Sequence, residues 1–151
     1  MGRLYALDTT VVVILGGGKS AEDRARERAE GLLLDHEEAG DTVGIPAPAF
    51  AECCHCEVEA VLVVWPLNSA AAVLTNRLTG PMIEAGKKKG CTKRAAKLDA
   101  LILATAETVG CAGLYTTDTW FDDVAKRQGL RIKILPLPPL RPLQTTLPSA
   151  E

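Results

Sequence analysis

Four carboxylates carry the chemistry available to this sequence: Asp8, Glu52, Asp99 and Asp118. Asp8 and Asp118 each follow a short apolar run, residues 4–7 and 114–116. Glu52 lies near a proline-marked helix start, and Asp99 lies early in a helix. In a parallel sheet the strand-to-helix junctions share one edge, so acids distant in sequence can converge there. Carboxylates within about 4 to 6 Å of one another repel, and a hard divalent cation such as Mg²⁺ or Mn²⁺, bound through oxygen, is the usual remedy. A cation held that way lowers the pKa of a bound water and offsets charge on a phosphate during in-line displacement. Taken singly, each acid reads as a surface or capping carboxylate, so the inference belongs to the set.

Helical phase tests two of the four. With Leu98 at zero and about 100° per residue, Leu101, Ile102, Thr105 and Val109 fall within about 60° of it. Asp99 then sits on the margin of the buried face, where a cleft ligand or a solvated acid would stand. Around Glu52 the apolar stripe Phe50, Cys54, Val58 and Val61 includes Glu57 and leaves Glu52 opposite, so periodicity alone selects Glu57.

The elements that must position these acids follow from the pattern. Residues 4–7 predict a strand, and Asp8-Thr9-Thr10 offers caps for a helix over 11–15. Gly16-Gly17-Gly18 breaks it. Ser20 with Asp23 forms a capping box for a helix that ends near Gly40. A strand over 43–45 is closed by Pro46 and Pro48. From about Ala47 a helix is expected to run into residues 58–64 and stop at Pro66. Another helix covers 69–78 and stops at Gly80-Pro81. A basic loop follows, then a helix capped by Thr92 and ending near Gly110, a strand over 114–116, a short helix over 120–128 and a strand over 130–135. Short strands alternating with helices predict an α/β domain over residues 1–135, with a parallel sheet of four to five strands and helices on both faces. Residues 136–151 hold five of the nine prolines and predict an extended tail. Its Pro139-Leu140-Arg141-Pro142 fits a polyproline ligand pattern, although a tail draped on the surface explains the composition as well.

Composition excludes several classes. In 151 residues, 47% are hydrophobic and 24% charged, which is globular usage rather than disorder, collagen or coiled coil. The longest apolar stretches, 11–15 and 61–65, fall far short of the roughly 20 residues that a bilayer span needs. With neither a span nor a secretory signal pattern, a cytoplasmic location is expected. Five cysteines form an odd set in a chain able to bury its own core, so reduced thiols are expected. The net charge of −2 argues against a protein held to nucleic acid by its overall field, yet the charge is unevenly spread. Arg77, Lys87, Lys88, Lys89, Lys93, Arg94 and Lys97 face only Glu84, a local balance of +6, whereas residues 19–41 carry −4.

Two motifs compete. Gly16-Gly17-Gly18-Lys19-Ser20 mimics the phosphate-binding loop of a nucleotide-triphosphatase, but the glycine needed five positions before Gly18 is Val13. Cys53-Cys54-His55-Cys56 holds zinc-type ligands, but a closed tetrahedral site wants two separated pairs, and Cys91 and Cys111 stand alone. Thiols packed in a helix account for it. His36 has no Ser or Cys neighbourhood suggesting a triad.

As a set, Leu4-Tyr-Ala-Leu-Asp8-Thr-Thr, Ile45-Pro-Ala-Pro-Ala-Phe-Ala-Glu52-Cys, Lys97-Leu-Asp99-Ala-Leu-Ile-Leu-Ala-Thr-Ala-Glu and Leu114-Tyr-Thr116-Thr-Asp118-Thr-Trp-Phe121 resemble the four acidic motifs of PIN-domain ribonucleases, VapC-like toxins above all. The resemblance runs from about residue 3 to 135. It implies a three-layer α/β fold in which Asp8, Glu52, Asp99 and Asp118 bind Mg²⁺ or Mn²⁺ and a metal-activated water attacks RNA phosphodiesters. It also selects Glu52 over Glu57. Thr9 and Thr116 match supporting positions. Thr10 stands where Asn is frequent, and Trp120 where many toxins carry another acid, so Asp122 or Asp123 either substitutes for that acid or faces water. Lys87, Lys88, Lys89, Lys93, Arg94 and Lys97 would meet the RNA backbone. The family likeness further implies a homodimer and an antitoxin partner. A PIN-like module that binds RNA or protein without cleaving is the non-enzymatic alternative, against which the retention of all four acids counts.

Overall fold

Leu4–Leu7 forms the central strand, β1, of a five-stranded sheet, and every other element is placed relative to it. In this computed structural model, which describes residues 2–16, 24–53 and 62–140, β1 leads into α1 (Thr9–Leu15), α2 (Ala25–Ala39), β2 (Thr42–Pro46), α3 (Ala47–Glu52) and β3 (Val63–Trp65). The second half runs α4 (Ser69–Lys87), α5 (Lys93–Val109), β4 (Gly113–Tyr115), α6 (Phe121–Arg127) and β5 (Lys133–Leu135). The strand order is β3-β2-β1-β4-β5 and all pairings are parallel. From β1 the chain steps outward to β3, then crosses back through α4 and α5 to enter β4 on the other side of β1. Right-handed crossovers in opposite directions put helices on both faces, and the reversal places a switch point at the C-terminal ends of β1 and β4.

The core explains why these segments settle. Leu7, Val11, Val12, Ile45, Ile102, Leu103, Leu114 and Phe121 are fully or almost fully buried. The α5 helix is buried along most of its length, with Ala96, Ala100, Ile102, Leu103, Ala104, Thr105 and Ala106 enclosed, so its covered surface is broader than the stripe expected from Leu98. Small residues allow that: α5 packs between α4 and the sheet and also touches α3. Gly44 lets the Trp65 ring lie on β2, because a Cβ there would stand 2.4 Å from the indole.

Two expected boundaries are corrected. The α3 helix stops at Glu52 instead of continuing to Pro66, and Val63–Trp65 is an edge strand in register with residues 44–46 of β2. Three β-branched or aromatic residues beside an open sheet edge gain more from ladder bonds than from a helical turn. The α4 helix passes through Gly80-Pro81 and reaches Lys87. Proline inside a helix costs roughly 3 kcal/mol. Leu78 before that break and Met82 beyond it, both fully buried, return about 1.5–3 kcal/mol each. Gly86 continues their four-residue spacing and permits a close approach to Cys91 and Ala96. The basic loop is accordingly short, residues 88–91. The Ser20 capping box lies outside the described residues, where α2 begins only at Ala25 after Arg24 in the left-handed region. Thr92, Gly40 and Gly110 end or start their helices as expected.

The beginning of the proline-rich segment is anchored. Leu137 is buried, and the Arg28 guanidinium donates to the carbonyls of Leu137 at 2.9 Å and Pro138 at 2.8 Å. Residues 141–151, including Arg141 and Pro142 of the polyproline pattern, lie outside the described residues, as does the Gly17-to-Ser20 part of the phosphate-loop mimic. No described helix is long and apolar enough to cross a membrane.

Candidate active site at the strand ends

The switch point at the ends of β1 and β4 is where the acids arrive. Asp8 leaves β1, caps α1 through its own carboxylate, which accepts from the Thr9 amide at 2.8 Å, and is almost wholly buried. Its amide donates to the Tyr115 carbonyl at the end of β4, so the two strand ends are tied together. Asp118 follows β4 by three residues. Thr116, also buried, joins the two acids: its hydroxyl donates to Asp8 Oδ2 at 2.7 Å and accepts the Asp118 amide at 2.9 Å. Glu52, at the end of α3 rather than near its start, accepts from the Thr9 hydroxyl at 2.5 Å. Two threonines thus link Asp8, Glu52 and Asp118 into one hydrogen-bonded chain. Asp99 faces them from the second turn of α5, half-buried on the margin of that helix.

Their charges act on one another. Burial, then the Asp118 carboxylate, pushes Asp8 up to about 6, although the bonds from Thr116, Thr9 and Thr10 oppose the rise. Burial, then the charges of Asp8, Asp118 and Glu52, pushes Asp99 up to about 8. The acids therefore share one field. Among the described residues, no three His, Cys, Asp or Glu side chains stand close enough to enclose an ion directly. The spacing is looser than the sequence argument assumed. It remains compatible with Mg²⁺, which keeps several of its waters and takes one or two carboxylates directly. An oxygen-only donor set, crowded enough to hold a proton at neutral pH, has the chemistry of a hard-cation site.

The supporting residues divide. Thr9 and Thr116 hold the positions given above. Asp122 is not brought into the set; its carboxylate pairs with Lys126 at 2.7 Å, one turn along α6. Asp123 lies exposed on the same helix. Thr10, noted only as a departure from the usual Asn, contributes: its hydroxyl donates to Asp8 Oδ2 at 3.3 Å and accepts the Thr117 amide at 3.2 Å. A short hydroxyl beside an acidic cap was the signal for it. Cys91 lies near enough that Asp99 and Asp118 add to the upward push that burial gives its thiol. Cys91 and Cys111 form no disulfide. Cys54, His55, Cys56 and Glu57 lie outside the described residues, so the zinc reading and the choice between Glu52 and Glu57 by phase have no structural counterpart for those positions.

The expected backbone-binding cations flank this edge from two sides. Arg94 shares with Glu52 a groove of about 800 Å³ between α3 and α5, whose floor is Pro48, Leu98 and Leu101. Lys88 and Lys89 border a smaller cavity between α4 and α6. Lys93 and Lys97 are exposed on the first turns of α5, and Lys87 is paired with Glu84.

His36 was missed because its partners are distant in sequence. Its Nδ1 lies 2.7 Å from Asp41 Oδ2 and its Nε2 2.8 Å from the Tyr115 hydroxyl, with the Tyr5 ring 4.1 Å away. Burial pushes the Tyr115 phenol up to about 12, so it keeps its proton at neutral pH. The Arg3 amide, then His36, holds Asp41 below the usual carboxylate range. This network pins α2 to the ends of β1 and β4.

No protein-family model matches the sequence. No curated protein matches it either. Among solved structures, the chain is similar to one chain in the crystal structure of VapBC2 from Rickettsia felis bound to a DNA fragment from their promoter. The two share 13% identity with a TM-score of 0.51, over 88% of this chain and 98% of that one. At that identity the likeness shows the fold alone: a PIN-like α/β fold with a central parallel sheet flanked by helices.

Proposed function

We propose that this chain is a Mg²⁺- or Mn²⁺-dependent endoribonuclease, the toxin of a toxin–antitoxin pair. One observation carries the proposal: Thr9 and Thr116 tie the Asp8 and Glu52 carboxylates and the Asp118 amide into one hydrogen-bonded chain at the switch point of the sheet, and Asp99 on α5 lies in the field of all three acids. A protein with no use for a cation gains nothing from this crowding, which costs stability at neutral pH. The likeness to a chain of VapBC2 supports the toxin role and an antitoxin partner; a homodimer is part of the same proposal.

Asp8, Asp99 and Asp118, with Glu52 on the exposed side, would hold the cation. When bound, it supplies a water of lowered pKa and offsets charge on the phosphate. The chain's own residues do the positioning. Thr116 fixes the Asp8 carboxylate and the backbone that carries Asp118, so neither acid needs to reorganise during reaction. Thr9 orients Glu52. Arg94, Lys88 and Lys89 attract the RNA backbone towards an edge that would otherwise repel it.

The test is cleavage of total RNA by wild type and by the Asp99→Asn variant, with Mg²⁺, with Mn²⁺ and with EDTA, mapping the cut sites. Metal-dependent cleavage that falls at least a hundredfold in the variant is the expected result. Cleavage that persists in EDTA or in the variant would overturn the assignment.

A further inference from the structure

Resting on the ribonuclease reading, we propose that the cavity between α4 and α6 receives one nucleobase of single-stranded RNA, stacked on Trp120, while the adjoining phosphates run over Lys88 and Lys89. The cavity has a volume of about 270 Å³ and is walled by Ala85 and Val124 as well as by the indole. That is below the roughly 300–1,000 Å³ of sites for drug-sized ligands, so it suits a single planar ring system.

Three features select a base over other occupants. The first is a fixed platform: Trp120 is half-buried and packs edge-to-face on Phe121, with ring centroids 4.6 Å apart, and Phe121 is itself fully buried. A partly exposed tryptophan, held by a buried neighbour and lining a cavity, is the kind of side chain on which unpaired bases stack. The second is charge. Lys88, Lys89 and Arg127 line the rim, and none of them has a carboxylate partner among the described residues. Of the two acids on the same rim, Glu84 is bonded to Lys87, which leaves three cations against Asp123. The third is position. Trp120 lies in the turn that the Phe121 amide closes on the Asp118 carbonyl at 3.3 Å, so the platform stands one turn from that acid. A strand with one base in this cavity would run its next phosphate along the turn that leads back to Asp118. The large residue at position 120, where an acid was looked for, becomes a determinant of how RNA is held.

The experiment uses the full chain carrying Trp65→Phe, which leaves Trp120 as the only tryptophan. Octauridylate is titrated in EDTA, where the strand survives, beside an abasic ribose–phosphate octamer of equal charge. The expected results are quenching of Trp120 fluorescence by octauridylate and an affinity about tenfold above that of the abasic strand. W120L should remove that advantage, W120F should keep most of it, and Lys88→Glu with Lys89→Glu should weaken both strands and flatten their salt dependence. If the Trp65→Phe background does not fold, the signal lost between wild type and W120F reports the same quenching.

Equal binding of the two strands with unchanged fluorescence would overturn the proposal. So would a W120L variant that sediments as a different oligomer yet binds RNA normally, because the patch would then belong to a protein contact. Quenching in a chain that never cleaves RNA would sink the nuclease assignment and leave the base site standing, whereas cleavage without base preference in binding would do the reverse.

Discussion

Asp99 shows what this site costs a single residue. Its carboxyl is pushed up to about 8, chiefly by burial and then by Asp8, Asp118 and Glu52. The folded chain therefore holds this proton more tightly than the unfolded chain, where 3.8 is the ordinary value. Below about pH 4 the group is neutral in both states and has no effect. As pH rises from about 4 to 8, the native state loses stability relative to the unfolded one. Asp99→Asn removes that penalty, so without metal at pH 8 the variant should melt about 2–4 °C above wild type, with solvent screening keeping the gain modest. At pH 4 the two melting curves should coincide; a gain of equal size at both pH values would rule out an electrostatic cause. Thr116 tests the other side of the balance. Thr116→Val keeps the shape but removes the donor to Asp8 Oδ2 and the acceptor for the Asp118 amide, with an expected destabilisation of about 1–3 kcal/mol by urea unfolding. Because that bond lowers the Asp8 pKa, its loss should also move the acid limb of the cleavage profile to higher pH. Thr116→Ser should behave as wild type in both measurements. Asp8 and Asp118 were legible as candidates because an acid directly after an apolar run is a local pattern. The threonine links were only partly legible, since Thr10 donates to an acid two residues away and shares its acceptor duty with an amide at Thr117, 107 residues on.

At the scale of elements, local pattern located starts and stops well where a side chain closes its own helix. Asn68 and Thr92 accept from amides three residues on, and Gly40 and Gly110 adopt the left-handed conformation that ends α2 and α5. It misled where a partner at long range outweighed a local preference. Gly80-Pro81 reads as a stop in any window of ten residues, yet α4 continues because Ala71, Leu78, Met82 and Gly86 are buried on one side of it. Residues 63–65 read as helical until β2 supplies a ladder. The proline penalty in α4 is therefore real and unrelieved locally, so Pro81→Ala, which restores a backbone donor and removes the ring from the preceding turn, should stabilise the chain by about 1–3 kcal/mol. Met82→Ala should cost about 2–5 kcal/mol, since the side chain is fully buried. Paired denaturant titrations read both. If Pro81→Ala proved destabilising, the compensation drawn here between helix breaking and burial would be wrong.

For the whole molecule, the alternation of short strands and helices sufficed to infer a parallel sheet, and the order β3-β2-β1-β4-β5 then accounts for why acids separated by up to 110 positions share an edge. The proposed cation site is consequently a property of the fold as much as of four side chains, and it should be visible in global unfolding. Two acids, Asp8 and Asp99, are raised in the folded state to about 6 and about 8, so together they make the metal-free chain lose stability as pH climbs from about 4 to about 8. Asp41 works in the opposite sense: its pKa is lowered, so its contribution is present above its ordinary value of 3.8 and disappears as pH falls through the lower, folded value. The proposed hard cation would compete with the protons on Asp8 and Asp99 and bind only the folded arrangement, which would stabilise the native state by mass action. Thermal melts at pH 5 and pH 8, each with EDTA or with Mg²⁺ or Mn²⁺ at about a hundred times its dissociation constant, should then diverge. At pH 8 the cation should add about 2.7 kcal/mol of stability, seen as a rise of roughly 5–10 °C. At pH 5, where the raised acids hold their protons, the same concentration should add much less. The Asp99→Asn variant should lose most of the metal-induced rise while keeping its own higher metal-free melting point, and a rise unaffected by that substitution would place the cation somewhere other than the edge where the four acids meet.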